Sequence, residues 1–342
     1  MNHELLRRLS NAPGVSGFED AVQAIVLDDL GSTCREVTQD RLGNVIGFRP
    51  ATAAAGGPAG RLVIAAHSDE IGMLVQHISA DGFVKFAPVG GLHVASTMSQ
   101  PVVIHGRRPV RGVIVPDVPP KDDYRPLNEM IIDVGLSRTE VLELIEVGDP
   151  ITFAQEYVQL NERVCMGRNF DDRIGTYCLL EMMRRLDDTA IDVYAVSTVQ
   201  EEVGVRGMPV VAYAIEPDIG IAIDGSLSRG PYPELQGHTC EMGDGTGIYL
   251  MDNLTIGDRR LVSFLIDLCR EHGIAFQRNI GGGTDASALQ RVRAGSLSTT
   301  VGAPVRYMHS TVQLCHVDDI EATVALLAIF AQHAHELLEK SP

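Results

Sequence analysis

No tryptophan occurs among the 342 residues, and aromatic residues make up only 5% of the chain. Sugar-binding clefts rely on aromatic faces for stacking, so a carbohydrate-active site is a poor fit to this composition. Basic residues are scarce too: 28 Lys and Arg stand against 45 Asp and Glu, a formal charge of −17. Nucleic acids and anionic membranes both need clustered Lys and Arg, which argues against either as the main partner. No apolar run approaches the roughly 18 residues of a membrane span; Val324–Ala331 is among the longest. The six cysteines show neither C-x-x-C pairs nor the spacing of a disulfide framework. The opening MNHELLRRLS lacks the apolar stretch of a secretion signal. A reduced, cytoplasmic protein is expected.

The remainder is ordinary globular material, 45% hydrophobic and 21% charged. The length exceeds that at which single hydrophobic cores stop growing, so one large domain and a smaller one are expected. Ser16-Gly17-Phe18-Glu19 has the form of a capping box, and Val22, Ile25, Val26 and Leu30 follow at helical spacing until Gly31. Arg61–Ala66 and Ile219–Ile223 are short continuous apolar runs, the pattern of strands buried on both faces, and Asp192–Val199 is a further strand. Helices are predicted over Arg173–Leu186, over Leu261–Glu271 with Gly273 closing it, and over Asp318–Leu338, where Asp318 and Glu321 suit the first turn. From Ile71 to Cys165 the texture changes to short β-rich segments, such as Phe83–Pro88 and Pro101–His105, between Gly and Pro turns. The expectation is an α/β domain, residues 1–70 plus 166–342, interrupted by a β-rich insertion at 71–165. Ala51–Gly60 reads as an exposed loop.

Three predicted strands end on acids or histidines. Arg61–Ala66 runs into His67-Ser68-Asp69-Glu70, Asp192–Val199 into Gln200-Glu201-Glu202, and Ile219–Ile223 into Asp224. Ligands of open α/β sheets bind outside the carboxyl ends of the strands, so three such ends together mark a site. His67 and Asp69 are two positions apart and share a face of an extended chain, placing Asp69 to accept from an imidazole that binds metal; a polar loop is the alternative. Asp171-Asp172 before a helix reads either as ligands or as an acidic N-cap. Adjacent Glu201 and Glu202 repel, so burying both requires a cation or a raised pKa, whereas a solvated turn requires neither. Gly281-Gly282-Gly283-Thr284-Asp285 lacks the G-K-[ST] ending of a phosphate loop, Gly243–Gly247 lacks a dinucleotide fingerprint, and Gly225-Ser226-Leu227 is no nucleophile elbow. Cys165 and Cys178 flank the Asp pair without any mark of an activated thiolate, and His333 and His335 read as surface residues. Two histidines, several carboxylates and no phosphate loop suggest a paired-metal hydrolytic site.

Seven segments in order then resemble the tetrahedral metallo-aminopeptidases, the group with glutamyl, leucyl, lysyl and deblocking aminopeptidases. They are APGVSGFE from Ala12, AHSDEIGMLV from Ala66, NFDDRIG from Asn169, VQEEVGVRG from Val199, AIDGS from Ala222, GGGTDA from Gly281 and VRYMHS from Val305. The resemblance implies a zinc-peptidase-like mixed sheet flanked by helices. It implies two divalent ions, zinc or cobalt, with His67 and Asp224 on one, Glu202 and His309 on the other, and Asp171 bridging. Glu201 would be the general base, Asp69 would orient His67, and Gly283, Thr284 and Asp285 would lie near the amino end of a short peptide substrate. The insertion would be a dimerisation domain and the assembly a hollow dodecamer. Ser68, Gly225-Ser226, Thr311 and Gln313 depart from the family's usual residues, so no specificity is carried over. A metal-dependent deacylase or amidase acting on a small N-acyl compound and an endoglucanase-type glycosidase are the alternatives.

Overall fold

The computed structural model describes residues 1–52, 58–117, 126–230 and 239–339. Ala53–Gly57, half of the loop expected at Ala51–Gly60, lies outside the described residues. An eight-stranded mixed sheet forms the centre, in the spatial order 36–39, 45–49, 192–198, 61–67, 219–223, 297–302, 246–251 and 276–280. The predicted buried strands are its middle: Arg61–His67 pairs in parallel with Asp192–Thr198 on one side and Ile219–Ile223 on the other. Alternation along that strand explains why it reads as a continuous apolar run. Leu62, Ile64 and Ala66 enter one core layer with helices His3–Asn11, Asp20–Leu30, Phe170–Arg185, Arg259–His272 and Val317–His333. Val63 and Ala65 enter the opposite layer beneath helices Gly207–Ile215 and Ala286–Gln290. Burying each large aliphatic side chain here is worth about 1.5–3 kcal/mol. The expected α/β class is borne out.

Some helix ends follow the expected local chemistry and others do not. Asp258 caps Arg259–His272 by accepting from the Arg260 and Leu261 amides at 3.0 and 3.1 Å, and Gly273 ends it at φ 66°. The predicted C-terminal helix is broken at Ala334 into Val317–His333 and His335–Glu339. The predicted capping box at Ser16 does not form. Helix Asp20–Leu30 starts at Glu19, and the Ser16 hydroxyl donates instead to Asp69 Oδ2 at 2.6 Å, a charge-assisted bond stronger than a cap to a neutral amide.

Between residues 72 and 153 six strands close into a barrel with its own core, including Met73, Val102, Ile114, Ile132 and Ile151. The barrel thus fills most of the predicted insertion, while Val158–Gln159 pairs with Val164–Gly167 and the latter pairs in turn with strand Gln313–His316, in a separate five-stranded sheet. The chain leaves the central sheet at His67 and returns beside it at Phe170, so the insertion opens and closes at one end of the sheet.

Candidate metal centre

Residues from six separate segments meet at the carboxyl end of the central strands. His67, at the last position of its strand, is 2% exposed, with Nε2 3.1 Å from Asp171 Oδ1 and Nδ1 3.4 Å from Asp69 Oδ1. His309 Nε2 lies 3.2 Å from Asp171 Oδ2 and 3.3 Å from Glu202 Oε2. The two oxygens of Asp171 therefore face two different histidines. Two groups that could hold a metal ion result: His67, Asp171 and Asp224, and Asp171, Glu202 and His309, each with its potential donor atoms within 4.8 Å of one another. Asp171 is common to both.

The two residues of the Asp pair are placed differently, and the cap reading applies to the second. The regular helix begins only after Asp172, whose Oδ1 accepts from the Gly175 amide at 3.0 Å and so acts as the cap. Asp171 is left to face the site, its own amide held by Gln313 Oε1 at 2.8 Å. Asp69, fully buried, does more than sit beside His67. Its Oδ1 accepts from the Glu201 amide at 2.9 Å, and its Oδ2 accepts from the Glu202 amide at 3.1 Å as well as from Ser16. One carboxylate thus fixes an imidazole and the turn carrying both glutamates. That turn begins at Gln200, which sits at φ 56°.

The electrostatics call for cations. Burial pushes Glu201 and Asp224 well above the usual carboxylate range, and burial plus repulsion from Asp171 brings Glu202 to about 8. Burial also acts on Asp171, but hydrogen bonds from His309 and His67 outweigh it and hold the group well below its ordinary value. Burial alone would depress His309; its contact with Asp171 raises it instead, to about 9. Packed acids that retain protons, facing imidazoles, are a donor set suited to divalent ions, which would replace those protons.

The glutamates, Asp171, Asp224 and His309 line a cavity of about 490 Å³, together with Gly283 and Thr284. Asp285 lies behind that wall, 3% exposed, accepting from Thr198 Oγ1 at 2.5 Å. Sequence reasoning missed His93, Tyr249 and Met308, which also line the cavity. His93 reaches it from the insertion, and the only signal was the Gly90-Gly91 pair that lets this segment pass close to His309. Cys165 and Cys178 are buried, with thiols pushed up by burial, in keeping with packing roles.

The family model for the M42 glutamyl aminopeptidases matches residues 43–326. The chain belongs to the M42 family. It is 32% identical to a lysyl aminopeptidase of Pyrococcus furiosus over 337 residues, covering 94% of each chain. Among solved structures, an aminopeptidase from Desulfurococcus kamchatkensis superposes with a TM-score of 0.94 at 33% identity, covering 99% of this chain and 97% of that one. A second, the TET1 peptidase of Pyrococcus horikoshii, gives a TM-score of 0.86 at 30% identity over 96% and 98% of the two chains; that protein can assemble into a tetrahedron or a large octahedral shell. The expected activity is borne out at this level: this M42 chain is a metal-dependent aminopeptidase, a hydrolase of peptide bonds. Among the described residues no helix is long and apolar enough to cross a membrane.

Proposed function

We propose that this M42 aminopeptidase holds two divalent ions, zinc or cobalt, with Asp171 between them. His67 and Asp224 complete one site, and Glu202 and His309 the other. The observation carrying this reading is the opposed contacts of the two Asp171 oxygens, 3.1 Å to His67 and 3.2 Å to His309. When bound, such ions polarise a scissile carbonyl and make water acidic enough to ionise near neutral pH.

The protein's own residues would do the rest. Glu201, projecting into the cavity with its backbone pinned by Asp69, takes the proton of the attacking water on its carboxylate and returns it to the leaving amine. Its raised proton affinity suits both transfers. Gly283 and Thr284 border the amino end of the substrate, and Asp285, behind them, adds negative charge toward the peptide's α-ammonium group. The barrel would join subunits as dimers that build a closed dodecamer. Val113, Leu142 and Val147, the last 66% exposed, supply apolar surface on this insertion for such a contact.

One experiment tests the scheme. His67→Ala and His309→Ala should lose metal and activity together, whereas Glu201→Gln should keep metal while kcat falls by about 10²–10⁴. A free aminoacyl anilide should be cleaved and its N-acetyl form left nearly intact, because acetylation removes the charge the site is built to meet. Full activity in Glu201→Gln, or faster turnover of the acetylated compound, would overturn the assignment.

A further inference from the structure

The catalytic cavity adjoins a second one of about 480 Å³, and Gly204, Val205 and Leu254 line both. The second cavity lies where helices Gly207–Ile215 and Ala286–Gln290 meet on the outer face of the sheet, and much of its wall is apolar, with Pro209 and Val292 joining Val205 and Leu254. Two polar groups on this wall stand out. Ser287 is 1% exposed, and its hydroxyl has no hydrogen-bond partner among the described residues. Arg291 anchors its Nε on the Ser287 carbonyl at 2.8 Å, yet its guanidinium pairs with no carboxylate among the described residues. The neighbouring cation is committed: Arg293 bonds Glu216 at 2.9 Å and stacks 3.7 Å above the Tyr213 ring. In a chain where acids outnumber bases 45 to 28, an uncommitted arginine beside a buried unpartnered hydroxyl marks a place for an anion.

Position selects the anion. Gly204 and Val205 stand two and three residues after Glu202, so the shared wall begins close to where the leaving amine receives its proton. Peptide on the far side of the scissile bond would continue along that wall. We propose that the second cavity is a subsite for the leaving portion of the peptide, seating an apolar side chain against Leu254 and Val292 while the exposed guanidinium of Arg291, anchored on the Ser287 carbonyl, receives a carboxylate. This rests on the placement of Glu201 beside the leaving group given above. The favoured substrates are then short peptides whose carboxylate lies within reach of Arg291.

Three alanine peptides test this: a tripeptide with a free carboxylate, its C-terminal amide, and the amide carrying glutamate at the third position. An alanyl anilide, too short to enter the subsite, reports catalysis alone. Release of the first residue should run about five-fold faster, as kcat/KM, for the free acid than for the amide, the size of a partly exposed ion pair. Arg291→Ala should abolish that ratio, and Arg291→Lys should keep part of it. Restoration of the rate by the glutamate would show that any carboxylate at that reach serves; failure to restore it would assign the chain terminus. Product inhibition by a dipeptide acid, compared with its amide, should weaken in Arg291→Ala by the same factor. Equal rates for acid and amide in the parent would overturn the subsite. So would an equal fall for peptides and anilide in Arg291→Ala, which would place the cavity around the first residue. An inactive anilide would instead indict the placement of Glu201.

Discussion

Replacing Gly91 by alanine asks whether the barrel insertion holds one of the candidate ligands in place. A Cβ at that position would stand 2.8 Å from His309 Nδ1 and 3.3 Å from its Cε1. Comfortable carbon contacts begin at about 3.5 Å, so the ring or the loop must retreat by roughly 0.5–1 Å. Gly91 is exposed and outside the left-handed region, so alanine brings little backbone strain and a stability change within about ±0.5 kcal/mol. The ring has less freedom. His309 sits at φ 59°, and its Nε2 is placed between Asp171 and Glu202 at 3.2 and 3.3 Å. A shift of that size disturbs the geometry of both contacts, and disturbing the surroundings of a metal ligand typically costs about 10- to 100-fold in affinity or activity. Titrating the metal-free variant calorimetrically with zinc or cobalt should show one site weakened by that factor and the other retained. Anilide turnover should fall in step, with Tm within about 2 °C of the parent. Two sites of parental affinity with full activity would refute the idea that the insertion braces His309.

Asp69→Asn exchanges an acceptor for an amide donor facing backbone N–H groups, so it should cost about 1–3 kcal/mol in urea unfolding and lower kcat more than metal content; a change in stability alone would confine Asp69 to a structural role. Glu70→Ala leaves Arg168 and the fully buried Arg173 without the carboxylate they contact at 2.8 and 3.5 Å, and should cost about 3–5 kcal/mol, read as a lower urea midpoint at constant slope. Burial raises Glu19 from 4.5 to about 7. The folded state therefore holds its proton more tightly than the unfolded chain, and this residue's contribution to stability declines as pH climbs from about 4.5 to 7, by about 3 kcal/mol in all. Glu19→Gln still accepts from the Gly17 and Gln200 amides without that titration. Melts from pH 5 to 8 should show the variant gaining on the parent; parallel curves would contradict the shift.

The central strands were legible because burial on both faces leaves an unbroken apolar run, and the acids after them stood out against it. Strands Glu36–Gln39 and Phe276–Ile280, at the edges of the sheet, carry no such run and were not read. Ser16 was misread because a capping box is a local pattern, whereas its partner Asp69 lies 53 residues away. The double duty of Asp69 was half legible: its spacing from His67 is local, but its hold on the Glu201–Glu202 turn spans 132 and 133 residues. His93 was invisible for the same reason, since nothing in the insertion's own pattern says which loop returns to the catalytic face.

The order of these segments along the chain bears on how the enzyme is made. His67 precedes His309 by about 240 residues, which a ribosome needs roughly 12–48 s to add. During that interval the emerging chain can close its barrel, whose strand pairings are all internal to residues 72–153, but it lacks one arm of the second candidate metal group. A nascent or truncated chain ending before the strand Gln313–His316 also leaves the Asp171 amide without Gln313. If His309 holds metal as proposed, hydrolytic competence waits on a residue made long after the barrel can close, so a chain that has only its first histidine and its barrel is not yet a peptidase.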